Sequence, residues 1–249
     1  MTRGCASLRH RARVAALGLL LAMTLLPGFA WIPWKVTGRP IAGHVVDAET
    51  GRPISGAHVI YQWEGSSLRG SLFGGFGHGG NRTICYHAAV ATTYADGQFR
   101  IPAWEKWLAE GMGDNEPVGY AYARGYVPHY FLAWSGVIKG GTLFDHPNDV
   151  FKLAPSHATG KTRLEELWDF VRRSCAYGGD SQRALVPALT AAYAEARSIA
   201  VTPDEIKQAR HFAYMIGSAA VAPDMDGDAS PGAQINRYVS EHFPETGRS

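Results

Sequence analysis

Apolar and polar side chains alternate in short runs from residue 41 to about residue 155, and turn-forming residues separate the runs. Period-two alternation puts every second side chain on one face, so each run predicts a short strand. Residues 41–47 read as the first strand. It is closed by Asp47-Ala48-Glu49-Thr50-Gly51-Arg52-Pro53, where Gly51 can supply positive φ and Pro53 cannot donate to a ladder. Residues 58–64 read as the second, with Val59, Tyr61 and Trp63 on one face and Ile60 on the other. Runs 88–93 and 98–101 flank Asp96-Gly97, the strongest short hairpin signal in the chain, and 118–123 and 149–153 supply later strands. The rhythm is that of an antiparallel β-sandwich.

After Pro155 the period changes from two to that of a helix. Thr162-Arg163-Leu164-Glu165 matches a capping box, and Leu164, Leu167, Trp168, Val171 and Cys175 fall on one stripe. A second helix is expected from Pro187, presenting Leu189, Ala192, Tyr193, Ala196 and Ile199. Thr202-Pro203-Asp204-Glu205 announces a third, with Ile206, Ala209, Ala213 and Ile216 inward. Three short helices make too small a core alone, so residues 156–221 are expected to pack on the β region, 31–155. Residues 222–249 turn polar with Pro and Gly and read as a flexible tail. The fold class predicted is α+β.

The N-terminus changes the picture. Arg3, Arg9, Arg11 and Arg13 precede a run from Val14 to Leu26 broken only by Gly18 and Thr24, and Pro27, Gly28, Phe29 and Ala30 follow. That order is a secretory n-region, h-region and cleavage region, with Gly28 and Ala30 at the small-residue positions. Two readings stand. Cleavage after Ala30 would start the mature chain at Trp31; retention would make residues 14–34, ending in Trp31, Trp34 and Lys35, an inner-membrane anchor with interfacial aromatics. No Cys follows the apolar run at a lipobox position, so Cys5 is a poor lipid attachment site. The expected location is periplasmic or extracellular, anchored or free.

Charge narrows the partners. The net charge is +2, but four of the positive charges sit in the leader and residues 1–30 hold no Asp or Glu, which leaves a body at −2. Such a body lacks the basic footprint that draws a protein to nucleic acid. In an oxidising compartment Cys85 and Cys175 suggest one disulfide, tying the β region to the helices, with two unpaired buried thiols as the alternative. A loop of about 90 residues closed this way is worth about 4 to 5 kcal/mol in the chain-entropy account.

Several motifs fall into one order. Gly43-His44-Val45-Val46-Asp47, then Thr50-Gly51-Arg52-Pro53-Ile54, Gly56-Ala57-His58-Val59, Thr93-Tyr94-Ala95-Asp96-Gly97-Gln98-Phe99 and Gly125-Tyr126 follow one another along the chain. This series resembles the carboxypeptidase regulatory-like domain family, whose pattern runs G-x-V-x-D, T-G-x-P-I, G-A-x-V, T-D-x-D-G-x-F and G-Y. The likeness covers roughly residues 41–154, and it departs from the pattern where Tyr94 replaces an Asp and in the long insertion before that element. It implies a transthyretin-like sandwich of about seven strands. It also implies an accessory to a zinc carboxypeptidase or a module of envelope and adhesive proteins.

The peptidase chemistry itself is not supplied. A zinc carboxypeptidase needs a His-x-x-Glu pair, a third ligand and a general-base Glu. Here the His-x-x-Glu is His242-Phe243-Pro244-Glu245, close to the end of the sequence given and interrupted by Pro244, and about 95 residues follow Pro155. Asp224-Met225-Asp226-Gly227-Asp228 opens like a calcium loop but has Ala229 and Ile235 where Gly and Glu belong. His44 and His58 are expected on neighbouring strands, and with His78 and His87 they offer no chelating spacing. A hydrolase would require Asp96, Glu105 and His87 to converge.

Between Gly65 and Arg82 seven glycines surround Leu68, Leu72, Phe73, Phe76 and His78, a candidate contact loop; a Gly-rich excursion over a sheet edge is the alternative. It is no phosphate loop, since no Gly-Lys-Ser/Thr ends it. The expectation is therefore a non-catalytic exported envelope protein without catalytic, cofactor or metal residues. It would bind a protein, glycan or surface polymer through its β-region loops. A membrane-anchored structural protein and an unrecognised hydrolase or carbohydrate-binding protein are the alternatives.

Overall fold

The computed structural model describes residues 34–66, 83–108, 117–132, 149–174, 182–221 and 230–244. Nine strands and four α-helices occur among them: β1 (Trp34–Gly38), β2 (Ile41–Asp47), β3 (His58–Ser66), β4 (Thr83–Thr92), β5 (Gln98–Ile101), β6 (Trp104–Leu108), β7 (Pro117–Tyr122), β8 (His129–Leu132) and β9 (Asp149–Leu153), then α1 (Gly160–Arg173), α2 (Val186–Ile199), α3 (Pro203–Val221) and α4 (Pro231–His242). The strands form three sheets, ordered β1-β6, β5-β2-β9 and β4-β3-β7-β8.

The mixed α+β class is as expected; the details differ. Nine strands stand where about seven were expected, and β2 pairs with β9 in parallel, Gly43 to Asp149 through Asp47 to Leu153. A parallel pair cannot be closed by a tight turn, which is why short-range turn signals did not announce it. Asp96-Gly97 does form its turn, with Gly97 N–H donating to the Tyr94 carbonyl at 3.0 Å. It joins no hairpin, because β4 pairs with β3 and β5 with β2. His44 and His58 consequently lie on strands of different sheets.

Strand β3 has two buried faces. Val59, Tyr61 and Trp63 share one cluster with Val45, Phe99, Ile101, Phe151 and Leu153 of the three-stranded sheet. Ile60 on the opposite face joins Ala88, Tyr120 and Tyr122 in a cluster with Leu164, Leu167, Phe170, Val171, Leu189, Phe212 and Ile216 of the helices. Full burial of a Leu, Ile or Phe side chain contributes about 1.5 to 3 kcal/mol, so these two clusters are what hold helices, four-stranded sheet and three-stranded sheet together.

Hydrogen bonds join the motif residues to one another. Asp47 Oδ1 accepts from the Glu49 and Thr50 amides at 2.9 and 2.8 Å, while its Oδ2 accepts from the Tyr126 hydroxyl at 3.0 Å. Thr93 Oγ1 accepts from the Ala57 amide at 2.8 Å and donates to the Ile54 carbonyl at 2.7 Å. Asp47 and Thr93 are turn clamps.

The helices correct two expectations. Helix α1 starts at Gly160 behind Thr159, which makes no side-chain cap bond, so Thr162 lies inside the first turn and not at a capping box. Residues 222–249 are not simply a loose tail, since α4 docks there with Ile235 and Phe243 buried and Ser230 capping it through the Ala233 amide. The third expected helix fits closely: Glu205 Oε2 accepts from the Thr202 amide at 2.9 Å and Thr202 Oγ1 from the Glu205 amide at 3.3 Å, a reciprocal box.

Candidate functional site

Four rings meet where β6 crosses the end of the β3-β4 pair. The pairing of β3 with β4 shifts register between Trp63 and Glu64, opposite His87 and Cys85, which leaves Tyr86 as the extra residue. A bulge of this kind re-aims side chains, and adjacent Tyr86 and His87 both reach Trp104, with ring centroids 6.1 and 4.0 Å away. Trp63 packs edge-on to Trp104 at 5.0 Å and lies 5.1 Å from His87. Room for the indole comes from the strand opposite, because a Cβ on Gly38 would stand 1.9 Å from Trp104 Nε1. That Nε1 is buried and has no hydrogen-bond partner among the described residues.

The corner holds its histidine neutral. Burial, helped by the Lys106 charge, pushes the His87 imidazole down to about 4, so it is neutral at physiological pH. Aromatic faces and an inward N–H donor suit contact and stacking. The β3-β4 pair also carries the Gly-rich insertion, since Ser66 pairs with Thr83 on either side of it.

Residues expected to converge are each engaged separately. His87 stacks on Trp104, Asp96 Oδ1 accepts from the Gln98 amide at 3.0 Å, and Glu105 pairs with Lys35 at 2.7 Å. Cys85 lies on β4 in the cluster that faces the helices. Leu68, Leu72, Phe73, Phe76, His78 and Cys175 lie outside the described residues, as do residues 14–33 of the leader and the acidic run 224–228. Among the described residues no group of three or more His, Cys, Asp or Glu is arranged to hold a metal ion, and no helix is long and apolar enough to cross a membrane.

Sequence reasoning missed Trp104 and Trp107. A signal existed in Trp104-Glu105-Lys106-Trp107, whose inward and outward positions alternate, but its brevity and charge hid the strand. A second polar constellation, also unforeseen, lies in the helix-sheet seam. Arg163 contacts Glu195 and Glu166, and Glu195 Oε2 accepts from the Tyr122 hydroxyl at 2.7 Å. Burial and the neighbouring carboxylate raise the Tyr122 hydroxyl well above its ordinary range, so it stays a neutral donor. The same hydroxyl lies 3.2 Å from the Ala191 carbonyl, so the seam joins β7 to α2.

No family model matches this chain, and no curated protein matches it. Among solved structures it is similar to a 9R-lipoxygenase from Cyanothece PCC8801, at 11% identity and a TM-score of 0.23, over 69% of this chain and 26% of that one. So low a TM-score carries no argument about fold or activity.

Proposed function

We propose that this chain is a non-catalytic module of the cell envelope, exported by its N-terminal segment, that binds a partner at the end of its β region. In this reading the β region is a transthyretin-like sandwich of the carboxypeptidase regulatory-like kind. The cluster shared by the three- and four-stranded sheets supports it, as do the Asp47-Tyr126 and Thr93-Ala57 bonds between motif residues.

The observation that carries the binding reading is the aromatic corner of Trp63, Tyr86, His87 and Trp104 on the strand pair that bears the Gly-rich loop. Packed rings give that loop a rigid base, and loops on rigid scaffolds are where binding surfaces concentrate. Non-catalytic action is favoured because His87, Asp96 and Glu105 each have separate structural partners.

A disulfide between Cys85 and Cys175 belongs to the same proposal. The Arg173 carbonyl at the end of α1 accepts from Gln62 Nε2 at 2.9 Å and the Tyr120 hydroxyl at 3.0 Å. Those bonds fasten the chain, two residues before Cys175, to the sheet that carries Cys85.

Intact mass of the protein recovered from the envelope of an exporting host, before and after reduction and alkylation under denaturing conditions, tests export and cross-link together. A chain starting at Trp31 with two thiols revealed only by reduction is the expected result. A full-length mass favours the anchored form, and thiols alkylated without reduction defeat the cross-link. For binding, Leu72→Ser/Phe73→Ser/Phe76→Ser in the same host should release the protein from isolated envelope material while leaving its unfolding midpoint unchanged. Undiminished association would rule out the loop as the contact.

A further inference from the structure

The β1-β6 ribbon has two unlike faces. Cross-strand partners share a face, so the register groups Val36 with Lys106 and Gly38 with Trp104 on one side, and Lys35 with Trp107 and Thr37 with Glu105 on the other. The first side is the inner one: Val36 is 8% exposed and Trp104 packs on the aromatic corner. On the second, Trp107 is 63% exposed beside the Lys35-Glu105 ion pair. Exposing most of an indole costs apolar surface that folding otherwise hides, and Trp beside Lys is the composition of a bilayer-water interface.

In sequence, this face follows an apolar run closely. The apolar run from Val14 to Leu26 is followed by Pro27-Gly28-Phe29-Ala30-Trp31-Ile32-Pro33, and β1 begins at once with Trp34-Lys35. Lys35, one residue into β1, is the residue paired with Trp107. The two strands therefore bring an exposed indole from far along the chain beside Lys35, which follows Leu26 by nine residues in sequence. Lys35 and Arg39 outnumber Glu105 on the outward face and its exit, a bias that suits anionic headgroups.

We propose that the outward face of the β1-β6 ribbon, centred on Trp107, rests in the headgroup layer of an anionic bilayer and fixes how the β region stands on the membrane. The proposal rests on the export reading for the side of the membrane involved and on the apolar run before β1 for the choice of a bilayer as occupant.

The test uses the full-length protein reconstituted in vesicles of phosphatidylcholine with phosphatidylglycerol, and the chain starting at Trp31 mixed with the same vesicles. Trp107→Phe isolates the emission of Trp107 by subtraction from the other tryptophans. The expected result is a blue-shifted Trp107 component, quenched by lipids brominated near the headgroup and severalfold less accessible to acrylamide than in buffer. Arg39→Glu should weaken this and remove its dependence on phosphatidylglycerol. A Trp107 component with the same emission and acrylamide quenching on vesicles as in buffer overturns the proposal, as does shielding by an envelope polysaccharide but not by lipid, which would make Trp107 a sugar platform. The unfolding midpoint of Trp107→Phe, expected unchanged, guards against a folding defect. A chain processed at Ala30 whose Trp107 stays wet would defeat this contact and leave the export reading standing; a shielded Trp107 in a protein never found in the envelope would do the reverse.

Discussion

Arg163 on α1 and Glu195 on α2 meet in the interior: Arg163 Nε and Nη2 both donate to Glu195 Oε1, at 3.0 and 2.8 Å, with the two side chains 3% and 7% exposed. Glu195 Oε1 also accepts from the Gly125 amide at 3.3 Å, and Arg163 Nη1 reaches Glu166 at 2.7 Å. The pair thus links two helices to the segment after β7. Arg163→Met leaves the carboxylate buried without its counter-charge, and such a loss costs about 3 to 5 kcal/mol. Arg163→Met/Glu195→Leu should recover part of it, because the buried carboxylate leaves with the guanidinium while half-buried Glu166 and the Gly125 amide each lose a partner. Urea unfolding of the three proteins measures both; a double variant as weak as the single one would contradict this account.

Glycine at two turns should respond differently to the same substitution. Gly51 and Gly97 have φ of 69° and 76°, so Ala at either is strained. At Gly97 a Cβ would also stand 2.6 Å from the Val45 carbonyl oxygen, whereas nothing lies within 4 Å at Gly51. Strain of this kind costs about 1 to 3 kcal/mol, and Gly97→Ala should lie at or beyond the upper end with Gly51→Ala near the lower. Equal thermal midpoints for the two variants would show that the contact at Gly97 is relieved by backbone movement.

Acid should weaken the fold through His87. Its imidazole is held near 4 against an ordinary 6.5, so as pH falls through 6.5 the unfolded chain takes the proton first. Stability is greatest above 6.5 and declines until about pH 4, where the folded form protonates too. His87→Phe keeps the stack on Trp104 and removes the titration, so its stability should be flatter over that window. Chemical denaturation at several pH values reads the difference; parallel profiles for the two proteins would place the acid sensitivity elsewhere.

The fourth helix should matter to the whole. Ile235 is 7% exposed, and Gly217 of α3 lies so close that a Cβ there would be 3.2 Å from Ile235 Cγ2. Ile235→Ala should cost about 2 to 4 kcal/mol, as buried aliphatic truncations do. A loose tail would give no change in urea midpoint.

What the sequence made legible was local. Alternation placed Val59, Tyr61 and Trp63 on one face of β3 and Ile60 on the other, and the Thr202-Glu205 box marked the start of α3, because both depend on neighbours a few residues apart. Strands β1 and β6 were missed since five-residue runs holding Lys, Glu and Trp resemble loops until they are paired. The aromatic corner draws Trp63, Tyr86, His87 and Trp104 from three strands, and it depends on a bulge and on a missing Cβ at Gly38 that no periodicity reports. Helix α4 was hidden by the Pro and Gly at its first turn, which favour a helix start as much as a loop. Arg163 fell on an expected helix, but its partner Glu195 is 32 residues away, beyond the reach of any local pattern.

The parallel junction of β2 with β9 also sets a timetable. A chain that emerges N-terminus first presents β2 about a hundred residues before the strand that will cover one of its edges exists. Until then that edge, with Val45 and Val46 beside it, stays open to any extended segment in its surroundings. Contacts so distant form late, and the waiting period is when a holding chaperone, or a second nascent copy of the same chain, would find its opportunity.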